Sequence, residues 1–208
     1  MKELIRNLVV AAALLAGGTV YASVEQGKDY SVLPSPQPTS GSKIEVLEFF
    51  FYGCGHCYHL HSTLVEWEKK MPKDVELTYV PTIFRDTMEQ MARTFYALES
   101  LGELHRLHDP LYRAWNVDNV KLFDEAQIAG FVATKGVDRT KFSAAYNSFT
   151  MQSRVTRAKQ MTRSYLISGT PTLIVDGKYV ITGLQPDDTI RVLNELIAMV
   201  RKTKPRGN

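Results

Sequence analysis

Cys54 and Cys57 are the only two cysteines in the chain, and they stand in the run Cys54-Gly55-His56-Cys57. Two thiols at this spacing can bridge each other, bind a metal or exchange with other disulfides, and their surroundings decide among these. Here the pair falls where an apolar run gives way to helical spacing. The first turn of a helix has backbone N–H groups without intrahelical partners and a positive macrodipole end. A thiolate on Cys54 would be held by both, and by a protonated or N–H-donating His56 beside it. Each effect lowers the thiol pKa, and the thiolate is the reactive form. Cys54 thus reads as the nucleophile, with His56 shaping its surroundings. Cys57, one turn further in, reads as the shielded resolving partner. A stabilised thiolate favours the dithiol, so the disulfide becomes the stronger oxidant.

Other readings of the same residues stay open. A purely structural bridge is chemically possible, although so short a loop constrains little of the unfolded chain. A metal site is also possible, because Cys54, His56, Cys57, His59 and His61 are close in sequence. On a helix, however, Cys57 and His61 share a face that His59 does not. A closed zinc site normally takes a second ligand pair from a distant segment, for which His105 and His108 are the candidates.

The elements that must position the cysteines are legible around them. Residues 44–51 form a short apolar and aromatic run expected of a buried strand. Leu60, Leu64 and Trp67 fall at i, i+4 and i+7, which predicts a helix from the cysteines to about residue 70, ended by Pro72. Val75, Leu77 and Tyr79 alternate with Glu76 and Thr78 in a second strand that stops at Pro81. Helical spacing follows through Met88, Met91, Ala92, Phe95 and Leu98. Leu104, Leu107, Leu111 and Trp115 predict another helix, which Pro110 should kink or split. Asp124 reads as the N-cap of a helix reaching Gly136, and residues 140–166 read as two more. Residues 172–175 and 178–182 flank Asp176-Gly177, the pair that a two-residue type I′ hairpin prefers. Asp187 reads as the cap of a last amphipathic helix. Residues 31–43, rich in Pro, Ser and Gly, read as an irregular lead-in.

Composition narrows the function classes. The 208 residues are 44% apolar and 23% charged, which suits a soluble globular chain able to bury a real core. Lys+Arg 25 against Asp+Glu 22 gives +3, with no basic block outside the last few residues, so nucleic-acid binding is not expected. Lys2 and Arg6 precede an apolar run over residues 8–16, and Val20-Tyr21-Ala22 offers small residues where a signal peptidase reads. The run is too short to span a bilayer, which takes about 20 apolar residues. Residues 1–22 therefore read as a signal peptide, and export implies a compartment where disulfides persist.

The stretch Val46-Leu-Glu-Phe-Phe-Phe-Tyr-Gly-Cys-Gly-His-Cys-Tyr58 resembles the active-site strand and helix start of the DsbA family, bacterial periplasmic thiol:disulfide oxidoreductases of the thioredoxin superfamily. Tyr146-Asn-Ser-Phe149, Gly169-Thr170-Pro171 and Val175-Asp-Gly-Lys-Tyr179 extend the resemblance over residues 26–202. It implies an α/β thioredoxin-like fold, βαβ then ββα around a mixed sheet, with an inserted all-helical domain. The division it implies is a signal peptide over 1–22, an irregular lead-in over 23–43, and thioredoxin-like parts over 44–86 and 166–203. The helical insert would occupy 87–165 and a basic tail 204–208.

The resemblance also assigns roles. Cys54 is the exposed attacking cysteine and Cys57 the buried one of a redox-active Cys54–Cys57 disulfide. Thr170-Pro171 is a cis-proline loop that faces it and receives substrate backbone. Glu48 is the buried acid below the site. Two positions depart from the family: Gly55 stands where the best-known members have Pro, as in protein disulfide isomerases, and His61 where they carry a carboxylate. His61, one turn past Cys57, is expected beneath the disulfide.

The activity implied is a periplasmic dithiol oxidase that passes its disulfide to newly exported unfolded proteins with free cysteines through a mixed disulfide. A DsbB-type quinone-linked inner-membrane protein would reoxidise it. The chain is expected to act as a monomer without cofactor or metal, because the cysteines themselves carry the electrons. The alternatives are an isomerase or reductase of the same fold, or a periplasmic protein that binds metal through its Cys/His cluster.

Overall fold

The computed structural model describes residues 24–39, 41–120 and 122–203; the expected signal peptide and basic tail lie outside them. A five-stranded sheet, in spatial order β1-β5-β4-β2-β3, forms the frame. Its strands are β1 (Ser31–Val32), β2 (Ile44–Phe50), β3 (Val75–Pro81), β4 (Thr172–Val175) and β5 (Tyr179–Thr182). Helix α1 (Gly55–Glu68) joins β2 to β3. A short 3₁₀ turn (Asp86–Met88) and five helices then intervene before β4: α2 (Glu89–Ser100), α3 (Leu104–Asn116), α4 (Glu125–Thr134), α5 (Arg139–Tyr146) and α6 (Phe149–Ser164). Helix α7 (Pro186–Thr203) follows the hairpin. The order is βαβ, helical block, ββα, as expected of a thioredoxin-like fold with a helical insertion.

Strand β2 runs through the middle. It pairs in parallel with β3, Glu48 opposite Tyr79, and antiparallel with β4, Glu48 opposite Leu173. Both faces are covered, which is why its sequence is a nearly continuous apolar run. Ile44 and Val46 pack with Leu60 and Leu64 of α1 and with Leu193 and Leu196 of α7. Leu47 and Phe49 join the larger core made with the helical block, where the Phe49 ring lies 5.4 Å from that of Tyr165.

The structure differs from the sequence reading at four places. Part of the lead-in is ordered as β1, which pairs antiparallel with β5; two residues carry no period-2 signal by which to be found. Beyond it, the N–H groups of Leu33 and Gln37 donate to Lys178 and Gly177 in the hairpin. Pro110 does not split α3. Leu107, His108, Leu111 and Tyr112 are buried on either side of it, so packing holds the helix together across the lost hydrogen bond. Helix α7 starts at Pro186, whose missing N–H matters least in a first turn, so Asp187 and Asp188 complement the helix dipole from inside that turn and Asp187 is not the cap. Finally, α4 ends at Thr134, short of Gly136.

The hairpin turn has φ of 50° at Asp176 and 65° at Gly177, both positive as a type I′ turn demands. A β-carbon on Gly177 would also collide with the carbonyl of Gln37 in the lead-in. Gly177→Ala is therefore expected to cost more than ~1 kcal/mol, since strain and collision add. Urea unfolding measures this; an unchanged midpoint would mean that the lead-in yields freely.

Candidate active site

Strand β2 delivers the chain to the sheet's end, where a tight turn leads into α1. The turn is closed by the Cys54 N–H donating to the Phe51 carbonyl at 3.0 Å, and the Cys54 carbonyl then accepts from Tyr58 at 3.0 Å. Cys54 is the N-cap residue of α1, extended at φ −97° and ψ 115°. Its sulfur thus lies where the helix offers free N–H groups. Both cysteines are free thiols in this structure, Cys54 half-buried and Cys57 fully buried.

The two sulfurs are electrostatic opposites. The Cys54 pKa is lowered to about 5, first because the Cys57 thiol donates to it, then through the Thr170 side chain and the backbone N–H groups of Cys57 and His56, all against the cost of burial. As a thiol, Cys54 can instead donate to the Thr170 carbonyl at 3.2 Å. Cys57 is pushed far up, by burial first and then by its hydrogen bond to Cys54 and the nearby Glu48. At neutral pH the pair holds one proton, and Cys57 keeps it.

The remaining expected site residues fall as follows. A cis peptide bond joins Thr170 to Pro171, and the Thr170 carbonyl meets the Cys54 sulfur across the sheet end. Beside them opens a cleft of about 660 Å³, lined by His56, His59, Leu60, Thr170, Pro171 and Leu184 among others. His56 is exposed, and its backbone N–H is among the groups that lower the Cys54 pKa. The first turn of a helix aims its N–H groups inward and its side chains out. Gly55 opens α1, and a β-carbon there would meet only Asn116 Oδ1, at 4.0 Å. Its N–H is not among the donors named above that lower Cys54, so the proline found in relatives could stand here without removing one of them.

Glu48 is 1% exposed, and its Oε1 has no hydrogen-bond partner among the described residues. Burial, then the charges of Glu68 and Cys54, raise its pKa to about 8, so it is largely neutral at pH 7. His61 is buried too and packs on α3: its ring lies 4.8 Å from both His108 and Tyr112. Burial lowers its pKa, with Asp109 opposing, and the imidazole stays neutral.

Sequence reasoning missed the polar centre of this packing. Tyr52 Oη and His108 Nδ1 lie 2.7 Å apart, joining residues 56 positions apart in sequence. Phe50 stacks edge-on against Tyr52, Phe95 and His108. His108 was visible only as a metal candidate. Among the described residues, no three His, Cys, Asp or Glu side chains converge as metal ligands would.

A DSBA-like thioredoxin domain model matches residues 45–193. The chain is 36% identical over 206 residues to the thiol:disulfide interchange protein DsbA of Pseudomonas aeruginosa PAO1, covering 97% of this chain and 98% of that protein. It is 37% identical over 212 residues to the protein of the same name from Burkholderia cepacia, covering 98% and 100%. Among solved structures, Pseudomonas aeruginosa DsbA superposes with a TM-score of 0.83 at 36% identity, over 86% of this chain and 96% of that one. The oxidoreductase DsbA from Xylella fastidiosa gives 0.80 at 32% identity, over 86% and 98%.

The Glu48 carboxyl has a stability consequence. Its folded pKa, about 8, lies above the ordinary 4.5, so its contribution is fully present below pH 4.5 and is lost as pH rises through 8. Glu48→Gln removes that slope. Relative to native, the reduced variant should gain on the order of a few kcal/mol between pH 4.5 and pH 8. Urea unfolding of both proteins across this range tests it, and parallel curves would show that Glu48 ionises as freely as a surface acid.

Proposed function

The chain belongs to the DSBA-like thioredoxin domain family and is a thiol:disulfide oxidoreductase, and from that premise we propose that it is a periplasmic dithiol oxidase. The observation that carries this reading is the asymmetry of its sulfurs: Cys54 half-buried with a pKa of about 5, and Cys57 buried with its proton held. A thiolate so stabilised favours the reduced pair, which makes the disulfide ready to accept electrons. A reductase would need the opposite bias.

The reaction proceeds in two exchanges. A substrate thiolate attacks Cys54 Sγ of the oxidised protein. The Cys54–Cys57 bond breaks, and Cys57 leaves and takes up a proton in its buried site. A second substrate thiolate then attacks the substrate sulfur of the mixed disulfide. Cys54 departs as thiolate, the better leaving group because its pKa is low. Two electrons have moved from the substrate dithiol to the cysteine pair. In this reading Thr170 and Pro171 line the substrate's path beside the sulfur, and Glu48 is the neutral acid that tunes the pair from below. Gly55, His56 and His61 shape the surroundings, His56 by its backbone.

The same reading takes newly exported, unfolded proteins with free cysteines as substrates and a DsbB-type quinone-linked membrane protein as reoxidant. It places the chain in the periplasm as a monomer, with residues 1–22 its signal peptide and the helical block between β3 and β4 its inserted domain. No helix among the described residues is long and apolar enough to cross a membrane.

Two measurements test the proposal. Cys54→Ala should abolish oxidation of a reduced peptide, whereas Cys57→Ala should accumulate mixed disulfides; identical behaviour of the two would refute an ordered pair. Stability against pH gives the second. A thiolate whose folded pKa is near 5 and unfolded pKa near 9 stabilises the reduced protein fully above pH 9, and this is lost as pH falls through 5. The oxidised protein, with no thiol to titrate, is the reference. The reduced form should melt higher at pH 7, and its advantage should shrink towards pH 4. An advantage that is flat from pH 8 to pH 4 would mean that Cys54 is an ordinary thiol.

A further inference from the structure

The turn that presents Cys54 is gripped by a residue of the helical block. The carbonyl of Tyr52, in the middle of that turn, accepts from Asn116 Nδ2 at 2.8 Å. The same nitrogen donates to the Tyr112 carbonyl at 2.7 Å. Asn116 is the last residue of α3 and lies 64 positions from Tyr52 in sequence. Two carbonyl acceptors settle which way the amide points, since reversal would set its oxygen against both. Oδ1 therefore faces Gly55.

The neighbouring residue closes the grip. Trp115 packs on Phe51 with ring centroids 6.0 Å apart. A β-carbon on Gly53 would come within 2.6 Å of the Phe51 ring and 3.3 Å of the Trp115 ring. Position 53 therefore admits only glycine without displacing them, and the turn is enclosed between Phe51, the residue just after β2, and the end of α3.

We propose that Asn116 is a positioning residue for the thiol–disulfide chemistry: its carboxamide pins the Tyr52 carbonyl and so holds the turn in the shape that sets the Cys54 sulfur against the first N–H groups of α1. Without the pin the Tyr52–Gly53 peptide can rotate, and because it lies one bond system upstream of Cys54, its rotation re-aims the sulfur away from those donors. The end of α3 thereby acts on the reactive sulfur through the backbone, with no contact to substrate required. The inference rests on reading Cys54 as the reactive thiolate.

The experiment is a thiolate-absorbance titration of Cys54 in the native protein, Asn116→Leu and Asn116→Gln, with reduction potentials from glutathione equilibration. Leu keeps the bulk and removes both donors, while Gln keeps the donors on a longer arm. Leu should raise the Cys54 pKa by about half a unit to one unit, as expected for loosening helix-terminus donors, and make the disulfide less oxidising, with Gln between the two. A role confined to stability would lower the melting temperature of oxidised and reduced forms alike and leave the pKa unmoved. A low native pKa that is unchanged in folded Asn116→Leu overturns the inference. An ordinary native pKa overturns instead the reading of Cys54 on which it rests. If the Leu variant does not fold, the native protein still decides: the Asn116 side-chain amide NMR signals should shift at the pH where Cys54 titrates, and no inflection there overturns the inference.

Discussion

A negative charge on the Cys54 sulfur has to be sustained at the edge of a core that cannot easily hold another. That constraint organises the groups beneath it. Cys57 and Glu48, the acids nearest the sulfur, are both driven towards their neutral forms by burial. Tyr52, Tyr79 and Tyr112 are pushed up for the same reason, while His61 and His108 are pushed down. The floor of the site is thus rich in ionisable groups yet nearly uncharged at pH 7. In such surroundings an unpaired second charge would cost several kcal/mol, whereas a single thiolate at a helix N-terminus meets donors already oriented towards it.

The sheet makes that arrangement possible. As the central strand, β2 carries Glu48 into the interior and ends where α1 begins, so acid, turn and thiol follow one another along a single stretch of chain. Strand β4 returns antiparallel at its side and brings Thr170 and Pro171 to the sulfur from the far end of the sequence. The helical block then covers this end of the sheet with a cluster of rings around Phe50 and His108. Its α3 supplies both the apolar cover and the hydrogen bonds to the active-site turn.

The two departures from the family are accommodated differently. At position 55 the structure leaves room, so glycine here and proline in relatives can occupy the same first turn. At position 61 the change is chemical. A carboxylate against His108 and Tyr112 would place a buried charge at the interface between α1 and α3, and the neutral imidazole found there adds no charge to the floor.

Much of this protein is legible in its sequence because the signals are local. The CxxC pair at a strand-to-helix junction, the apolar run of β2, the periodicity of α1, and the Asp176-Gly177 turn each depend on residues that are neighbours along the chain. From these the helix-terminus chemistry of Cys54 follows directly, since free N–H groups belong to any first turn. Glu48 inside a strand was readable as buried only with the family's help, because one polar residue in an apolar run has no periodicity of its own. What the sequence left undecided are meetings between distant segments: Tyr52 with His108, Asn116 with the Tyr52 carbonyl, and His61 with α3. The effect of Pro110 was undecided in the same way, because burial on both sides of it, and not helix propensity, keeps α3 whole. Such pairings depend on how two packed units dock, and docking is set by the summed fit of many side chains, a quantity that no short window of residues contains.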